Sequence, residues 1–434
     1  MNALFIYDPY PFGKIAVRML ILFFAAAVFS GDNLYFWGRS EAEALNAENY
    51  STNLQIKNSE NEDLNTKKIQ REQWNSSLKK RYKNAPVRHI EEGIAHIILT
   101  KRINGYPVKI NVVEVNPKIN SDIKIQPVLA GENLAEKATV RTISKKNNSK
   151  VAVNGSFFMP KSGIPLGLIM IDKKIISGPI YNRVALGIKA DGFEMDRVSL
   201  DAKLTYGENI LTVDNINVPR MLSSDVIIYN ESWGKKTPSP NKNGIIATVS
   251  EGKILKMSYE STEIPENGFA ISAPQEKITE FLQQKEMPKK FLRKTEQPVI
   301  VTDIKTNPQW ENTEHIISGG PYLVKNGNLY VDIKEQKFTS IAGKNPRTAV
   351  GYTKEGYLII AAIDGRTKSS VGVNLYDLGK IMKEFGCYNA MNLDGGSSTV
   401  MQINGNIVNS PVIKGGIAVS NALTVNISEK LAKN

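Results

Sequence analysis

The stretch Cys387–Met401, CYNAMNLDGGSSTVM, indicates a short buried strand that ends in a polar turn. Ala390–Leu393 is mostly apolar, and Asp394, two glycines and three hydroxyl residues follow it. Such a strand end presents a carboxylate and free backbone N–H groups, and its glycines let a ligand or another backbone approach closely. Asp-Gly between apolar runs is equally typical of a β-hairpin. This stretch alone therefore leaves both interpretations open.

The preceding segment predicts two further strands that lead to the same place. Arg347–Thr353 and Tyr357–Asp364 are separated by a short loop that contains a glycine, which is typical of an antiparallel hairpin. Pairing centred on this loop brings Arg347 beside Asp364 and Arg366. The hairpin thus predicts a carboxylate between two guanidinium groups.

A helix is predicted between this hairpin and the opening stretch. Asn374–Phe385, NLYDLGKIMKEF, has apolar residues on one helical face, Asn374 suits the N-cap, and Gly386 suits the residue after the C-cap. Strand, helix and strand together predict a βαβ unit around residues 357–394, whose strands run parallel. Asp364 and Asp394 would then lie at strand ends on one sheet edge.

The chain as a whole is predicted to be an α+β protein with mixed β-sheets and flanking helices. Four segments are expected: a signal peptide or signal anchor over residues 1–37, a flexible polar tether over 38–84, a catalytic domain over 85–427, and a tail over 428–434. The tether is rich in polar residues and poor in aromatic ones, with one helix expected near Thr66–Tyr82.

The N-terminal segment predicts export. Met19–Phe29 is apolar, follows Lys14 and Arg18, and is cut short by Asp32, so it is typical of a signal sequence and too short for a full membrane span. The protein is therefore expected in the periplasm, at the cell surface, or anchored to the membrane and facing outward. The single cysteine, Cys387, excludes an intrachain disulfide.

Charge and composition narrow the classes of partner. The chain has a net charge of +12, mostly from lysine, and an ordinary apolar content of 41%. The positive charge is spread along the chain without aromatic interleaving or a recognition-helix pattern, so a nucleic-acid partner is not expected. An anionic envelope polymer or membrane surface suits this charge better.

The residue types at the predicted sheet edge suit chemistry on a sugar that carries a phosphate. Paired carboxylates serve glycosidic hydrolysis as proton donor and as base or nucleophile. Arginine binds phosphate or carboxylate groups in a bidentate manner, and glycine-rich turns offer backbone N–H groups to anions. The structural alternative is an Asp–Arg ion pair that braces two loop ends.

An ordered set of motifs over residues 150–425 resembles the phosphodiester glycosidase family. This family includes a lysosomal glycosidase and bacterial relatives described as exopolysaccharide-biosynthesis proteins. The motifs are Asn154-Gly155-Ser156-Phe157-Phe158, Ile317–Val324, Arg347-Thr348-Ala349-Val350-Gly351, Asp364-Gly365-Arg366, the helix from Leu375, Asn392-Leu393-Asp394-Gly395-Gly396-Ser397-Ser398 and Val419-Ser420-Asn421-Ala422-Leu423. Two departures stand out: Ser156 replaces a glycine, and Gly415–Ala418 stands where relatives have Glu-Arg-Pro.

The resemblance implies that Asp364 and Asp394 share the acid and base work, with the division between them left open. It implies that Arg347 and Arg366 hold the phosphodiester. Ser397 and Ser398 lie in the turn after Asp394 and are assigned to substrate binding.

Asn154 and Asn421 are likewise assigned to substrate binding, where they would position sugar hydroxyls. No cofactor is expected, because His89, His96 and His315 lie far apart in the sequence. A divalent cation at Asp394 stays an alternative, although the sequence has no cluster of oxygen ligands such as an EF-hand loop.

The expected function is hydrolysis of a glycosidic bond in a sugar phosphodiester, within a cell-envelope polymer or exopolysaccharide. The expected partner is accordingly a carbohydrate or sugar-phosphate substrate. The alternative is a non-catalytic envelope protein that binds glycan on the same fold.

Overall fold

The computed structural model describes residues 52, 64–219, 222–283, 299–308, 310, 312–338, 341 and 343–428. Residues Ile69–Asn434 form one compact unit, and Met1–Lys68 form a second one. The apolar segment Met19–Phe29 lies outside the described residues. Among the helices that are described, none combines the length and apolar character needed to cross a bilayer.

The helices described over more than one residue are α1 (64–81), α2 (Val140–Lys146), α3 (Gln275–Leu282), α4 (Leu375–Glu384) and a 3-10 turn over Gly396–Ser398. α4 has the predicted cap, because the Asn374 side chain accepts a hydrogen bond of 2.8 Å from the backbone N–H of Asp377.

Strands dominate the larger unit. In chain order they are β1 (Val87–Glu91), β2 (Ile94–Ile103), β3 (Tyr106–Val115), β4 (Ile123–Leu129), β5 (Ala138–Thr139), β6 (Val151–Asn154), β7 (Ile169–Ile171), β8 (Lys174–Ser177), β9 (Val184–Lys189), β10 (Gly192–Arg197), β11 (Ser199–Tyr206), β12 (Asn209–Thr212), β13 (Asn215–Ile216), β14 (Ile227–Asn230), β15 (Gly244–Ser250), β16 (Lys253–Ser258), β17 (Gly268–Pro274), β18 (Ile300–Asn307), β19 (Thr313–Ser318), β20 (Tyr322–Lys325), β21 (Asn328–Leu329), β22 (Arg347–Tyr352), β23 (Leu358–Ile363), β24 (Asn389–Asn392), β25 (Met401–Ile403), β26 (Asn406–Ile407), β27 (Ala418–Val419) and β28 (Asn421–Ile427).

Two sheets position the region of interest. The larger has eight strands in the order β1-β2-β3-β23-β22-β24-β20-β21, and the other has five in the order β26-β25-β6-β28-β4. The remaining described strands form the sheets β10-β9-β19-β7-β8, β12-β11-β18, β13-β14-β17-β15-β16 and β27-β5. This arrangement confirms the α+β class with mixed sheets.

The predicted βαβ unit is not confirmed. β23 and β24 both pair antiparallel with β22, one on each side of it, so they run in the same direction without bonding to each other. The hairpin partner β22 lies between them in the sheet. Both strands still end at the edge where β22 begins.

The central strands of the eight-stranded sheet are buried on both faces. Along β3, Val112 belongs to the apolar cluster on the side of α1 and α4, whereas the next residue, Val113, belongs to the cluster shared with the five-stranded sheet. This alternation follows from the strand period of two, which sends successive side chains to opposite faces. The strands that lead to the site are therefore rigid core elements.

α1 packs onto this sheet. Trp74, Leu78 and Tyr82 are almost fully buried in the same apolar cluster as the α4 face. Trp74 and Tyr82 also donate hydrogen bonds of 2.9 Å to the carboxylate of Glu114, which is fully buried on β3. The segment 38–84, which the sequence predicts to be a tether, thus contributes three side chains to the core near its C-terminal end.

Candidate active site

The candidate site lies where β22 begins and its two neighbouring strands end. Arg347 pairs with Ile363, the register predicted from the hairpin. On the other side of β22, the backbone N–H of Leu393 donates a hydrogen bond of 2.8 Å to the carbonyl of Thr348. Asp364 follows Ile363 and Asp394 follows Leu393, so the two aspartates leave the sheet on either side of Arg347.

Asp394 is a half-buried carboxylate held by its own turn. Its Oδ1 accepts a hydrogen bond of 2.9 Å from the backbone N–H of Gly395, and its side chain also bonds to the Ser398 hydroxyl. Burial raises the pKa of Asp394 to about 6, and these two hydrogen bonds act in the opposite direction. A carboxyl group of this kind can carry a proton near neutral pH and can donate it.

Asp364 is 3% exposed and is fixed by the loop after β26. Its Oδ1 accepts hydrogen bonds from the backbone N–H of Ser410 at 2.8 Å and from the side-chain amide of Asn409 at 3.2 Å. The same Asn409 amide donates to the carbonyl of Thr399 at 3.2 Å. Asn409 therefore ties Asp364 to the segment that follows Asp394.

Arg347 carries a buried charge that lacks a carboxylate partner among the described residues. Its guanidinium donates to three backbone carbonyls: Val373 at 3.1 Å, Ile341 at 2.5 Å and Gly343 at 2.6 Å. Burial, followed by the nearby charge of Arg366, lowers the pKa of Arg347 to about 10. The group stays cationic at neutral pH, and an anion bound beside it would supply the missing negative charge.

Arg366 is the exposed cation of the site. Its backbone is left-handed, with φ of 61°, a conformation that costs free energy in a residue other than glycine. Asn345 Oδ1 accepts from its Nε at 3.1 Å and from its Nη2 at 2.8 Å, and Ser397 Oγ lies 3.4 Å from its Nη1. The side chain is thus drawn over the turn that follows Asp394.

Asn154 lies behind this turn and is fully buried. Its amide donates a hydrogen bond of 2.6 Å to the backbone carbonyl of Asp394. Its Oδ1 accepts from Thr348 Oγ1 at 2.7 Å and from the backbone N–H of Val400 at 3.2 Å. These bonds make Asn154 an internal brace of the turn.

Asn421 braces the neighbouring turn after β6. Its Oδ1 accepts a hydrogen bond of 2.9 Å from the backbone N–H of Ser156, and its amide donates to the Ser156 hydroxyl at 2.8 Å. Between them, Gly155 leaves no room for a side chain, because a Cβ there would lie 1.9 Å from Asn421 Oδ1. The serine that replaces a family glycine thus completes this hydrogen-bond network.

The structure brings together Asp364, Asp394, Arg347, Arg366, Ser397 and Ser398 at one sheet edge, and it places Asn154 and Asn421 behind them. Sequence reasoning missed Asn345, Asn409 and Ser410, which hold Arg366 and Asp364 in place, and Thr348, which donates to Asn154. Asn345, Asn409 and Ser410 lie outside the motifs, and Thr348 lies within one that does not single it out. Across the described part of the chain, no three His, Cys, Asp or Glu side chains are grouped so that they could hold a metal ion.

A protein-family match covers the part of the chain that contains the candidate site. Residues 243–426 match the phosphodiester glycosidase family. This range includes β22, β23, α4 and β24, and therefore both aspartates and both arginines. The resemblance expected from the motifs is confirmed.

A curated relative gives the same family. The N-acetylglucosamine-1-phosphodiester alpha-N-acetylglucosaminidase of Mus musculus is 32% identical over 109 residues, which are 22% of this chain and 20% of that protein. The chain thus spans about a fifth of the length of this curated relative.

Two solved structures share the fold. A hypothetical protein from Synechocystis superposes with a TM-score of 0.68 at 23% identity, covering 79% of this chain and 63% of that one. A candidate exported protein of Burkholderia pseudomallei K96243 superposes with a TM-score of 0.61 at 19% identity, covering 74% of each chain. At these identities the likeness concerns the fold alone.

Proposed function

Since residues 243–426 match the phosphodiester glycosidase family, we propose that this protein hydrolyses the glycosidic bond of a sugar phosphodiester. The observation that carries the proposal is Asp394, whose pKa burial raises to about 6, at a sheet edge shared with two arginines. A carboxyl group with a raised pKa keeps its proton at mildly acidic pH, where it can serve as a general acid.

In this reaction the bond between the anomeric carbon and the phosphate oxygen breaks, and the phosphate leaves with both electrons. Asp394 donates its proton to the leaving oxygen. Asp364 acts on the other side of the bond in one of two ways: it takes the proton of the attacking water, or it attacks the anomeric carbon itself. In the second case water then cleaves the glycosyl-enzyme ester, Asp394 takes the proton of that water, and Asp364 is released as a carboxylate. Its hydrogen bonds from Ser410 and Asn409 fix its carboxylate for that role.

Arg347 and Arg366 hold the phosphate. Arg347 is buried and lacks a described carboxylate partner, whereas Arg366 is exposed and is oriented by Asn345. A guanidinium matches two phosphate oxygens at once. The pair would bind the substrate and offset the negative charge that grows on the leaving phosphate.

The substrate is proposed to be a cell-envelope polymer or exopolysaccharide, met outside the cytoplasm. The net charge of +12 favours retention on an anionic polymer. The predicted N-terminal signal sequence supports the same location, where it would deliver or anchor the protein.

Release of N-acetylglucosamine from its methyl phosphodiester, and of other sugars from related diesters, tests the proposal. The full-length chain is compared with Asp394→Asn, Asp364→Asn and a control, Asp201→Asn, which changes an exposed aspartate on β11. We expect turnover by the wild type and the control, and a loss of at least about a hundredfold in either site variant. A folded wild type that binds glycan without turnover on any sugar would establish the binding alternative instead.

A further inference from the structure

Arg183, which directly precedes β9, is a buried cation that the proposed reaction does not use. The residue is 8% exposed. Its Nε is buried without a hydrogen-bond partner, and its guanidinium makes no hydrogen bond or ion pair with any described residue. Of the five N–H donors of this arginine, the one on Nε is therefore both buried and unused.

Aromatic rings surround the Arg183 side chain. The guanidinium carbon lies 4.1 Å from the ring centre of Phe338, 5.5 Å from that of Phe157 and 5.8 Å from that of Tyr181. Such stacking holds a guanidinium by its face and leaves the N–H donors at its edge for another group. Burial lowers the pKa of Arg183 to about 10, so the group is still cationic at neutral pH.

Other partly buried arginines of the described chain have partners. Arg81 pairs with Glu114 and Arg197 pairs with Asp332, while Arg347 donates to backbone carbonyls. Taking a charge out of water without such compensation is unfavourable, and stacking on rings recovers only part of the loss. No described carboxylate or carbonyl offsets the charge of Arg183 in the same way.

Two short paths join Arg183 to the candidate active site. Phe157, which packs on Phe338, is two residues from Gly155, whose carbonyl accepts a hydrogen bond of 3.1 Å from the backbone N–H of Asp394. On the second path, the carbonyl of Val184 accepts from the N–H of Gly319 at 2.9 Å, and the next residue, Gly320, donates to the carbonyl of Asn392 at 2.6 Å. Asn392 ends the strand that leads to Asp394.

We propose that Arg183, with Phe157, Phe338 and Tyr181, forms a second anion-binding subsite beside the candidate active site. It takes a phosphate or carboxylate group that belongs to the same substrate but lies outside the scissile linkage. The inference rests on the proposed function and extends it, because it requires a substrate with a second negative charge. A chain of sugar phosphates or a glycan that contains uronic acid has such a charge.

Binding of inorganic diphosphate to the full-length chain, measured by calorimetry, tests the subsite without any turnover. The variants are Arg183→Gln, Arg366→Gln, the double variant, and Arg88→Gln as an exposed control on β1. Diphosphate is expected to bind at two sites, the Arg183 subsite and the candidate active site at Arg366. We expect Arg183→Gln to weaken binding at the Arg183 subsite by at least about tenfold, and Arg366→Gln to leave that subsite intact. The double variant should lose binding at both sites, and Arg88→Gln should match the wild type.

Diphosphate binding that Arg183→Gln leaves unchanged would overturn the proposal, since Arg183 would then only stack on its neighbours. So would loss of all anion binding in Arg366→Gln alone. Arg183→Lys gives a second variant should Arg183→Gln fold poorly: it keeps the charge without the planar fork, and we expect an intermediate affinity.

Kinetics separate this inference from the proposed function. Two substrates are compared, a diester with a second phosphate and a diester with a uronic acid. Arg183→Gln should raise KM by about tenfold at similar kcat, and the substrate with the larger rise shows whether the subsite binds phosphate or carboxylate. On a diester of one neutral sugar, Arg183→Gln should match the wild type. Equal losses of activity on the doubly charged diester and on the neutral-sugar diester would overturn the subsite without contradicting the proposed hydrolysis. Without any turnover, diphosphate binding still decides whether Arg183 holds an anion.

Discussion

Arg81 donates hydrogen bonds of 2.7 and 2.8 Å to the two carboxylate oxygens of Glu114. Trp74 and Tyr82 donate to the same carboxylate, so one buried acid on β3 receives all of its bonds from α1 and the residue after it. Glu114→Gln would remove the charge that Arg81 requires and would leave a donor facing other donors. We expect unfolding free energy to fall by about 3–5 kcal/mol, measured by urea denaturation.

Glu92→Gln is the matched control for that change. Glu92 pairs with Arg71, also on α1, but both side chains are about half exposed. An exposed ion pair contributes about 0–1 kcal/mol, so this variant should stay within that range of the wild type. Equal effects of the two substitutions would contradict the view that Glu114 anchors α1.

Asp394 makes stability depend on pH in a defined direction. Its pKa is about 6 in the folded protein, against an ordinary value of 3.8. The folded state therefore binds more protons than the unfolded state between these values, and the unfolding free energy falls as pH rises through this window, by up to about 3 kcal/mol. Asp394→Asn should flatten this dependence and exceed the wild type in stability above pH 6.

Urea denaturation at a series of pH values from about 4 to 8 measures this effect. Asp201→Asn, the exposed control, should keep the slope of the wild type. A slope that is unchanged in Asp394→Asn would show that Asp394 titrates like an ordinary surface carboxylate, and it would remove the main support for its role as the acid.

Gly155→Ala tests how tightly the two internal braces are packed. The new Cβ would lie 1.9 Å from Asn421 Oδ1, so the Asn421 side chain would have to move and give up its bonds to Ser156. Overpacking and loss of buried hydrogen bonds together predict a loss of about 2–4 kcal/mol in unfolding free energy. Gly105→Ala, at an open turn with nothing within 4 Å, should cost about 1 kcal/mol through its positive φ alone.

Local signals allowed the hairpin and α4 to be predicted. The register that sets Arg347 opposite Ile363 follows from a short loop between two apolar runs, and the cap at Asn374 follows from residues in a single turn. The position of β22 between β23 and β24 depends on the pairing of β22 with β24, which lies beyond α4 in the sequence. The hydrophobic periodicity of a single segment does not show which distant strand it pairs with. The strand ends that carry Asp364 and Asp394 therefore flank the start of β22, although the βαβ unit is not confirmed.

The direction of buried polar side chains could not be predicted. Asn154 and Asn421 stand at strand ends, where a polar residue can face a ligand or the interior. Their hydrogen bonds run to Asp394, Thr348 and Ser156, partners that are far away in the sequence. The motif thus points to one neighbourhood of the fold but cannot separate groups that would contact substrate from groups that hold the backbone in place.

The part that α1 plays in the core also escaped prediction. Trp74, Leu78 and Tyr82 are spaced by four residues, which is the signature of one helical face. Their surroundings are so polar that the composition indicates a tether. The buried hydrogen-bond partner of Trp74 and Tyr82, Glu114, lies on β3, far from α1 in the sequence, so the sequence of α1 alone does not indicate it.

Ser398→Ala probes the proton on Asp394 directly. The Ser398 hydroxyl bonds to the Asp394 carboxylate and lowers its pKa, in opposition to burial. Without this bond the charged form loses support, so the pKa of Asp394 should rise above about 6. The basic limb of the activity profile, where the acid loses its proton, should move to higher pH by about half a unit to one unit.

Ser397→Ala supplies the matched control, because Ser397 lies in the same turn and its hydroxyl contacts Arg366 at 3.4 Å. It should change KM through the phosphate-binding arginine and leave the pH limb in place. NMR titration of the Asp394 carboxyl carbon in both variants gives a readout that is independent of turnover. A pKa of Asp394 that is unchanged in Ser398→Ala, with activity reduced at every pH, would mean that Ser398 only shapes the turn.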